Sequence, residues 1–128
     1  MSQYMLLLYA PEADEAELAE REAQLPVWRE LNESLRDAGL LVSSGRLHDV
    51  PSATTVRVRN GDVEMTDGPF AVTKEILGGY YLVDCRDLDE ALKLAARVPL
   101  ARYGSVEVRP VMDMSELQAR AEAAAGQA

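Results

Sequence analysis

The chain has 128 residues, of which 48% are apolar, and this length suits one domain with a modest core. It carries 22 acidic and 13 basic residues, which gives a formal net charge of −9. That negative field repels nucleic-acid phosphates and anionic membrane surfaces, so the sequence predicts neither as a partner. Its single cysteine, Cys85, cannot form an internal disulfide, and its apolar surroundings predict a buried structural thiol.

The first part of the chain predicts a strand, a helix and a second strand. Residues 4–9 are apolar throughout, as in a strand covered on both faces. This run is too short for a secretory signal or a membrane span, so we expect a cytoplasmic protein. The acidic run Glu12–Glu22 is interpreted as a solvated helical face. A helix then begins near Leu25 and ends at Gly39, and a weaker strand follows over residues 40–47. The apolar positions of this helix recur at helical spacing and are Leu25, Trp28, Leu31, Leu35 and Ala38.

A β-hairpin is the plainest local prediction in the middle of the chain. Alternating residues 55–59 and 62–65 flank the dipeptide Asn60-Gly61. This dipeptide tolerates positive φ at both central positions, so it favours a two-residue type I′ turn. Residues 79–84 then predict another strand with apolar groups on both faces.

The C-terminal part predicts a helix, a strand and a second helix. Asp87 and Glu90 form the pattern of a capping box at the start of an amphipathic helix. The predicted apolar positions of that helix are Leu88, Ala91, Leu92 and Ala95. Val106 and Val108 then alternate with charged residues in a last strand, and an alanine-rich helix is expected from Ser115.

This order of elements predicts an α+β fold of the ferredoxin-like, split βαβ type with an inserted β-hairpin. The fold is expected to occupy residues 1–112, and residues 113–128 form a C-terminal helical tail. Both helices of such a fold cover one face of the sheet, whereas the strands at 4–9 and 79–84 are apolar on both faces. A second copy of the chain would bury the apolar groups of the open face by sheet-on-sheet packing, so the sequence predicts a homodimer.

Several segments of the chain resemble one protein family. They are Asp67-Gly68-Pro69-Phe70, Thr73-Lys74-Glu75, Leu77-Gly78-Gly79-Tyr80-Tyr81 and residues 104–110, supported by residues 53–57 and 87–96. From Tyr4 to Val111 the chain resembles the DGPF-motif branch of the YCII-related proteins. The resemblance implies a dimeric α+β barrel of ferredoxin-like protomers with no established reaction. The resemblance also implies a link to extracytoplasmic-function sigma factors, because members of the branch often look like their neighbours or like proteins fused to them.

The resemblance also bears on chemistry. The wider YCII-related group is similar to muconolactone-isomerase-like proteins, and a histidine–aspartate pair has been suggested there as a site. This chain departs from the branch at Val72, where a glutamate is common. If that glutamate takes part in a reaction in relatives, this protein lacks that catalytic group or binds a different ligand.

Three residues are catalytic candidates. Asp67 is either a functional carboxylate or a turn residue that accepts backbone N–H bonds. Lys74 is either a base or anion anchor balanced by Glu75, or half of a solvated pair that contributes little to stability. His48 is the only histidine and the obvious general base at neutral pH, although a surface or loop histidine is the alternative. Its neighbour Asp49 is a poor orienting partner in a strand, because adjacent side chains point to opposite faces.

The substrate-binding candidates are Arg109, Glu75, Tyr81 and Glu107. Glu107 and Arg109 share one strand face, so they either form an ion pair or leave Arg109 to bind an anionic ligand. Tyr81 is a candidate hydrogen-bond donor in the cavity that we expect between the open sheet face and a partner subunit. Phe70 is interpreted as a plug for the core.

Two functional hypotheses follow. In the first, the protein binds a small anionic or carbonyl metabolite between the open sheet face and a partner subunit, with cofactor-free isomerase- or lyase-like chemistry. In the second, it is a non-catalytic regulatory or interaction module that binds a basic partner, such as a sigma factor, through its acidic surface. A purely structural dimer is a third reading. The chain carries no common zinc, haem, nucleotide-binding or serine-hydrolase motif, so the sequence predicts no cofactor and no metal.

Overall fold

The computed structural model describes residues 1–126 and has a mixed α+β architecture, which confirms the predicted class. Its strands are β1 (Ser2–Ala10), β2 (Leu41–Arg46), β3 (Thr54–Arg59), β4 (Asp62–Asp67), β5 (Ile76–Cys85) and β6 (Ser105–Pro110). Its helices are α1 (Glu15–Glu22), α2 (Leu25–Asp37), α3 (Leu88–Arg97) and α4 (Met114–Gly126), with 3₁₀ turns at Val50–Ser52 and Pro99–Arg102. The last two residues of the predicted tail, 127–128, lie outside the described residues.

Four strands form one antiparallel sheet in the order β2-β5-β1-β6. The two longest strands, β1 and β5, are the central ones, and Tyr4 of β1 pairs with Val83 of β5 and with Pro110 of β6. The hairpin strands β3 and β4 form a separate two-stranded sheet. Strands from both ends of the chain therefore lie side by side, while the hairpin pairs only with itself.

The buried side chains of the main sheet lie on its helix-covered face. They are Tyr4, Leu6, Leu8, Tyr81, Val83 and Cys85, and they pack with Leu31, Leu35, Ala91, Leu94 and Ala95 of the helices. The assignment of Leu88 and Leu92 to the apolar face of α3 was wrong, because each is 46% exposed and Leu94 is buried instead. The Cys85 thiol is fully buried, which raises its pKa and confirms the predicted structural role.

Side-chain caps fix the starts of two helices. The Asp87 carboxylate accepts a hydrogen bond from the N–H of Glu90 at 2.9 Å. The Glu90 carboxylate accepts from the N–H of Arg86 at 3.0 Å rather than from Asp87, so the predicted box is only half formed. A complete capping box, missed in the sequence, starts α1, where Asp14 and Glu17 each accept from the other's N–H.

The hairpin forms as predicted. Asn60 and Gly61 have φ of 52° and 81°, and Arg59 pairs directly with Asp62 across the two-residue turn. One face of the hairpin, which we call the apolar hairpin face, consists of Val56, Val58, Val63 and Met65, all between 58% and 72% exposed. An isolated two-stranded hairpin is marginally stable in water, and no other part of residues 1–126 buries this face.

A second apolar surface lies on the side of the main sheet opposite the core. We call it the apolar sheet patch, and it consists of Met5, Leu7, Tyr9, Tyr80 and Leu82, which alternate with the buried residues and are only half-buried in the single chain. Glu107 and Arg109 are exposed, while Val106 and Val108 pack against the core, so the predicted shared face is confirmed. No ion pair joins Glu107 to Arg109 within residues 1–126.

The loop after the hairpin corrects one prediction. Phe70 is 78% exposed, so its interpretation as a core plug was wrong for the single chain. Val72, two residues further along the same loop, is fully exposed as well. None of the helices within residues 1–126 is long and apolar enough to cross a membrane.

Candidate functional site

A cavity of about 850 Å³ lies between the helix-covered face of the sheet and helices α1 and α2. Leu8 of β1, Tyr81 of β5, Leu18 of α1 and Trp28 of α2 line its walls, together with the loop residues Leu47–Pro51. This volume is in the range of small-molecule sites, roughly 300–1,000 Å³. The cavity is thus on the opposite side of the sheet from the dimer cavity that the sequence predicts.

An aromatic pair forms one wall of the cavity. The rings of Trp28 and Tyr81 are parallel to within 6°, and their centroids are 6.4 Å apart. The Tyr81 hydroxyl donates a hydrogen bond to Oδ1 of Asn32 at 2.5 Å, and Asn32 lines the same cavity. The predicted hydrogen-bond donor Tyr81 therefore already has an acceptor inside the protein, which fixes the Asn32 amide.

The burial of Tyr81 gives a pH prediction. Burial raises its pKa above the ordinary value of 10.0 and outweighs the opposing charge of Arg36. The unfolded chain therefore loses this proton first, so the contribution of Tyr81 to stability is complete below pH 10 and is lost as the pH rises through the folded-state pKa. We expect the alkaline fall in melting temperature to be shallower in Tyr81→Phe than in wild type, whereas equal slopes would contradict the assignment.

Two guanidinium groups line the cavity. Arg21 donates to the carbonyl oxygen of Pro11 at 3.0 Å and lies 4.4 Å from the centroid of the Tyr103 ring, so its position is fixed from two sides. Arg46 is the last residue of β2 and also lines the cavity. Within residues 1–126 neither guanidinium has a carboxylate partner within 4.0 Å. Both therefore keep N–H donors for a bound anion.

Gly79 keeps the sheet side of the cavity free of a side chain. A Cβ at Gly79 would lie 2.6 Å from the carbonyl oxygen of Gly45, and a Cβ at Gly45 would lie 2.8 Å from Cε1 of Tyr80. The close approach of the β2 backbone therefore excludes a side chain at Gly79, whereas at Gly45 the obstacle is the Tyr80 ring on the opposite face of the sheet. Backbone forms this part of the cavity wall.

Two of the predicted site residues, His48 and Tyr81, line this cavity. His48 is exposed and lies in the loop after β2, next to Asp49, which also lines the cavity. The other predicted residues lie elsewhere: Asp67, Lys74 and Glu75 at the end of the hairpin and in the loop after it, and Glu107 and Arg109 on β6. The single chain does not bring these two groups together at the cavity.

The backbone of the Asp67 loop is held by local hydrogen bonds. Gly68 has φ of 94°, its N–H donates to the carbonyl of Ala53 at 2.7 Å, and Thr55 Oγ1 donates to the Gly68 carbonyl at 2.8 Å. Only glycine adopts this φ readily, which explains the residue after Asp67. Lys74 is exposed and Glu75 is half-buried.

A sequence model of the YCII-related domain family matches residues 2–115, from β1 to the start of α4. The chain belongs to the YCII-related family. This YCII-related chain is also 40% identical over 113 residues to an uncharacterised protein of Rhizobium meliloti (strain 1021). That match covers 84% of this chain and 90% of the relative.

Sequence reasoning missed several cavity residues of this YCII-related protein. They are Arg21, Asn32, Arg46 and Tyr103, while Trp28 was interpreted only as an apolar helix position. One signal was available: Asn32 lies four residues after Trp28, so a polar amide shares the apolar face of α2. No group of three or more His, Cys, Asp and Glu side chains within residues 1–126 could hold a metal ion.

Proposed function

We propose that this YCII-related protein binds a small molecule with a carboxylate or carbonyl group in the cavity between the sheet and helices α1 and α2. The observation that carries the proposal is the pair of guanidinium groups, Arg21 and Arg46, which line the aromatic-walled cavity without a carboxylate partner in residues 1–126. A guanidinium matches a carboxylate through two parallel N–H···O bonds, each assisted by charge. Glu12, Glu22 and Asp49 also line the cavity, but none lies within 4.0 Å of either guanidinium, so an anionic ligand would bind at the two arginines themselves.

His48 is the proposed proton-transfer residue of the same site. It lines the cavity together with Tyr81 and Arg46, and imidazole titrates nearest to neutral pH among the side chains. Proton abstraction beside a carbonyl or carboxylate group requires a base and a group that holds the negative charge. His48 and the arginines supply these two functions, which supports isomerase- or lyase-like chemistry without a cofactor.

Calorimetric titration with a panel of small carboxylates and lactones tests the location of the site. We expect at least one carboxylate to bind wild type and Arg109→Gln equally, and to bind Arg46→Gln at least about tenfold more weakly. The two variants remove the same charge from different faces of the sheet. Loss of binding in Arg109→Gln alone would instead place the ligand on the open face, and no binding by any compound would reject the proposal.

We also propose that the protein is a homodimer of ferredoxin-like protomers of the DGPF-motif branch. The strand order β2-β5-β1-β6 supports the protomer fold, and the apolar sheet patch and the apolar hairpin face support a covering second chain. In this arrangement Asp67, Lys74, Glu75, Glu107 and Arg109 remain candidates for a site that only a second chain completes.

The second candidate function is an interaction module for a basic partner, such as a sigma factor. The observation in its favour is that α1 buries none of its residues and exposes the carboxylates of the acidic run. Such binding would weaken with added salt and with neutralisation of these carboxylates. We favour the small-molecule function, because an acidic exposed helix is also what an ordinary solvated surface looks like.

A further inference from the structure

The aromatic side chains of this protein are concentrated at the cavity. The chain has one tryptophan, one phenylalanine and five tyrosines, and three of these seven, Trp28, Tyr81 and Tyr103, line the cavity from the helix-covered side of the sheet. On the basis of the proposed function, we infer that the ligand is a planar aryl carboxylate whose ring lies against Trp28. This narrows the ligand from any small anion to one chemical class.

The geometry of the aromatic pair supports a flat ligand. Trp28 and Tyr81 are parallel, with a centroid separation inside the range of about 4.5–7 Å that aromatic pairs favour. Tyr81 is buried, whereas Trp28 is half-buried and lines the cavity. A third ring that enters the cavity would extend this pair.

The polar groups of the cavity suit the substituents of such a ring. The Tyr81 hydroxyl occupies Oδ1 of Asn32, while the two N–H donors of Asn32 Nδ2 have no acceptor within residues 1–126. They can donate to a ring hydroxyl or carbonyl oxygen. Arg46 lines the same cavity and can bind the carboxylate. The ring face of Trp28, the guanidinium of Arg46 and the amide of Asn32 together define the ligand class.

A saturated ring is the rival occupant, because aliphatic residues also line the cavity. Leu8, Leu18, Leu25 and Leu100 are among them. A cyclohexyl ring is more hydrophobic than a phenyl ring, so a merely apolar cavity would bind cyclohexanecarboxylate more tightly than benzoate. Ring–ring interaction with Trp28 reverses this order and should favour benzoate by between about twofold and tenfold.

The test compares benzoate with cyclohexanecarboxylate by calorimetric titration of wild type, Trp28→Leu and Trp28→Phe. We expect wild type and Trp28→Phe to prefer benzoate, and Trp28→Leu to lose the preference while it still binds both anions through the arginines. Thermal melts establish that each variant is folded. As Trp28 is the only tryptophan, its fluorescence in wild type should also change on addition of benzoate.

Each outcome bears on one of the two proposals. Equal affinity for the two anions in wild type, or tighter binding of cyclohexanecarboxylate, overturns the aryl-carboxylate inference and leaves the proposed carboxylate site standing. A benzoate preference that survives in folded Trp28→Leu also overturns it, because the ring would then lie elsewhere. If neither anion binds wild type, and no other carboxylate of the panel does, the proposed function and the inference both fall.

Discussion

If the protein is the homodimer proposed above, Leu7→Glu is expected to make it a folded monomer. Leu7 lies at the centre of the apolar sheet patch, where it pairs with Tyr80 on one side and with Glu107 on the other. A glutamate there would be desolvated in a sheet-to-sheet interface directly opposite the like charge of Glu107, which costs several kcal/mol. We expect the dimer dissociation constant to rise by at least about a hundredfold, as measured by analytical ultracentrifugation.

Leu92→Glu is the matched control for this prediction. Leu92 is the same residue type, is 46% exposed, and lies on α3 rather than on the sheet patch. This variant should therefore remain a dimer with an unchanged melting temperature. A wild-type chain that sediments as a monomer, or a Leu7→Glu chain that stays dimeric, would show that the apolar sheet patch is not the interface.

Gly104→Ala is expected to produce the largest loss of stability among single-methyl additions. A Cβ at this position would lie 2.1 Å from the carbonyl oxygen of Tyr9 and 3.1 Å from Cα of Ala10, so the start of β6 would have to move away from β1. Overpacking against backbone costs more than overpacking against a flexible side chain. We expect the free energy of unfolding to fall by about 3 kcal/mol.

Chemical denaturation of Gly104→Ala and of Gly126→Ala measures this effect with a matched control. A Cβ at Gly126 meets nothing within 4 Å, so that variant should be as stable as wild type. A stability of Gly104→Ala within about 0.5 kcal/mol of wild type would mean that β1 and β6 separate easily, and would contradict the packing described for this sheet edge.

Local sequence signals predicted the hairpin and the strands well, because their physical causes are local. Asn60 and Gly61 adopt positive φ whatever the rest of the fold does, and period-two alternation fixes the two faces of β6. The apolar face of α3 was harder to predict, because the leucines of this helix do not all lie on one side of it. Only packing against the sheet decides that Leu94 is buried and Leu92 is not.

The candidate site was less predictable for a related reason. The loop residues Asp67 and Lys74 are close in sequence and therefore looked like a site, whereas the cavity combines residues from β1, α1, α2, β2 and β5. Trp28 and Tyr81 are 53 positions apart in the numbering, and only the folded chain stacks their rings. No local pattern contains this contact. The single available hint was Asn32 on the apolar face of α2.

Amide chemical-shift mapping with benzoate on isotope-labelled protein shows on which face of the sheet the ligand binds, and it needs no variant. We predict shifts in the amides of residues 44–50 and 76–81 and in the cavity-facing parts of α1 and α2. Shifts confined to β6 and to residues 67–75, with the cavity amides unchanged, would reject the cavity as the binding site and place the ligand on the opposite face of the sheet.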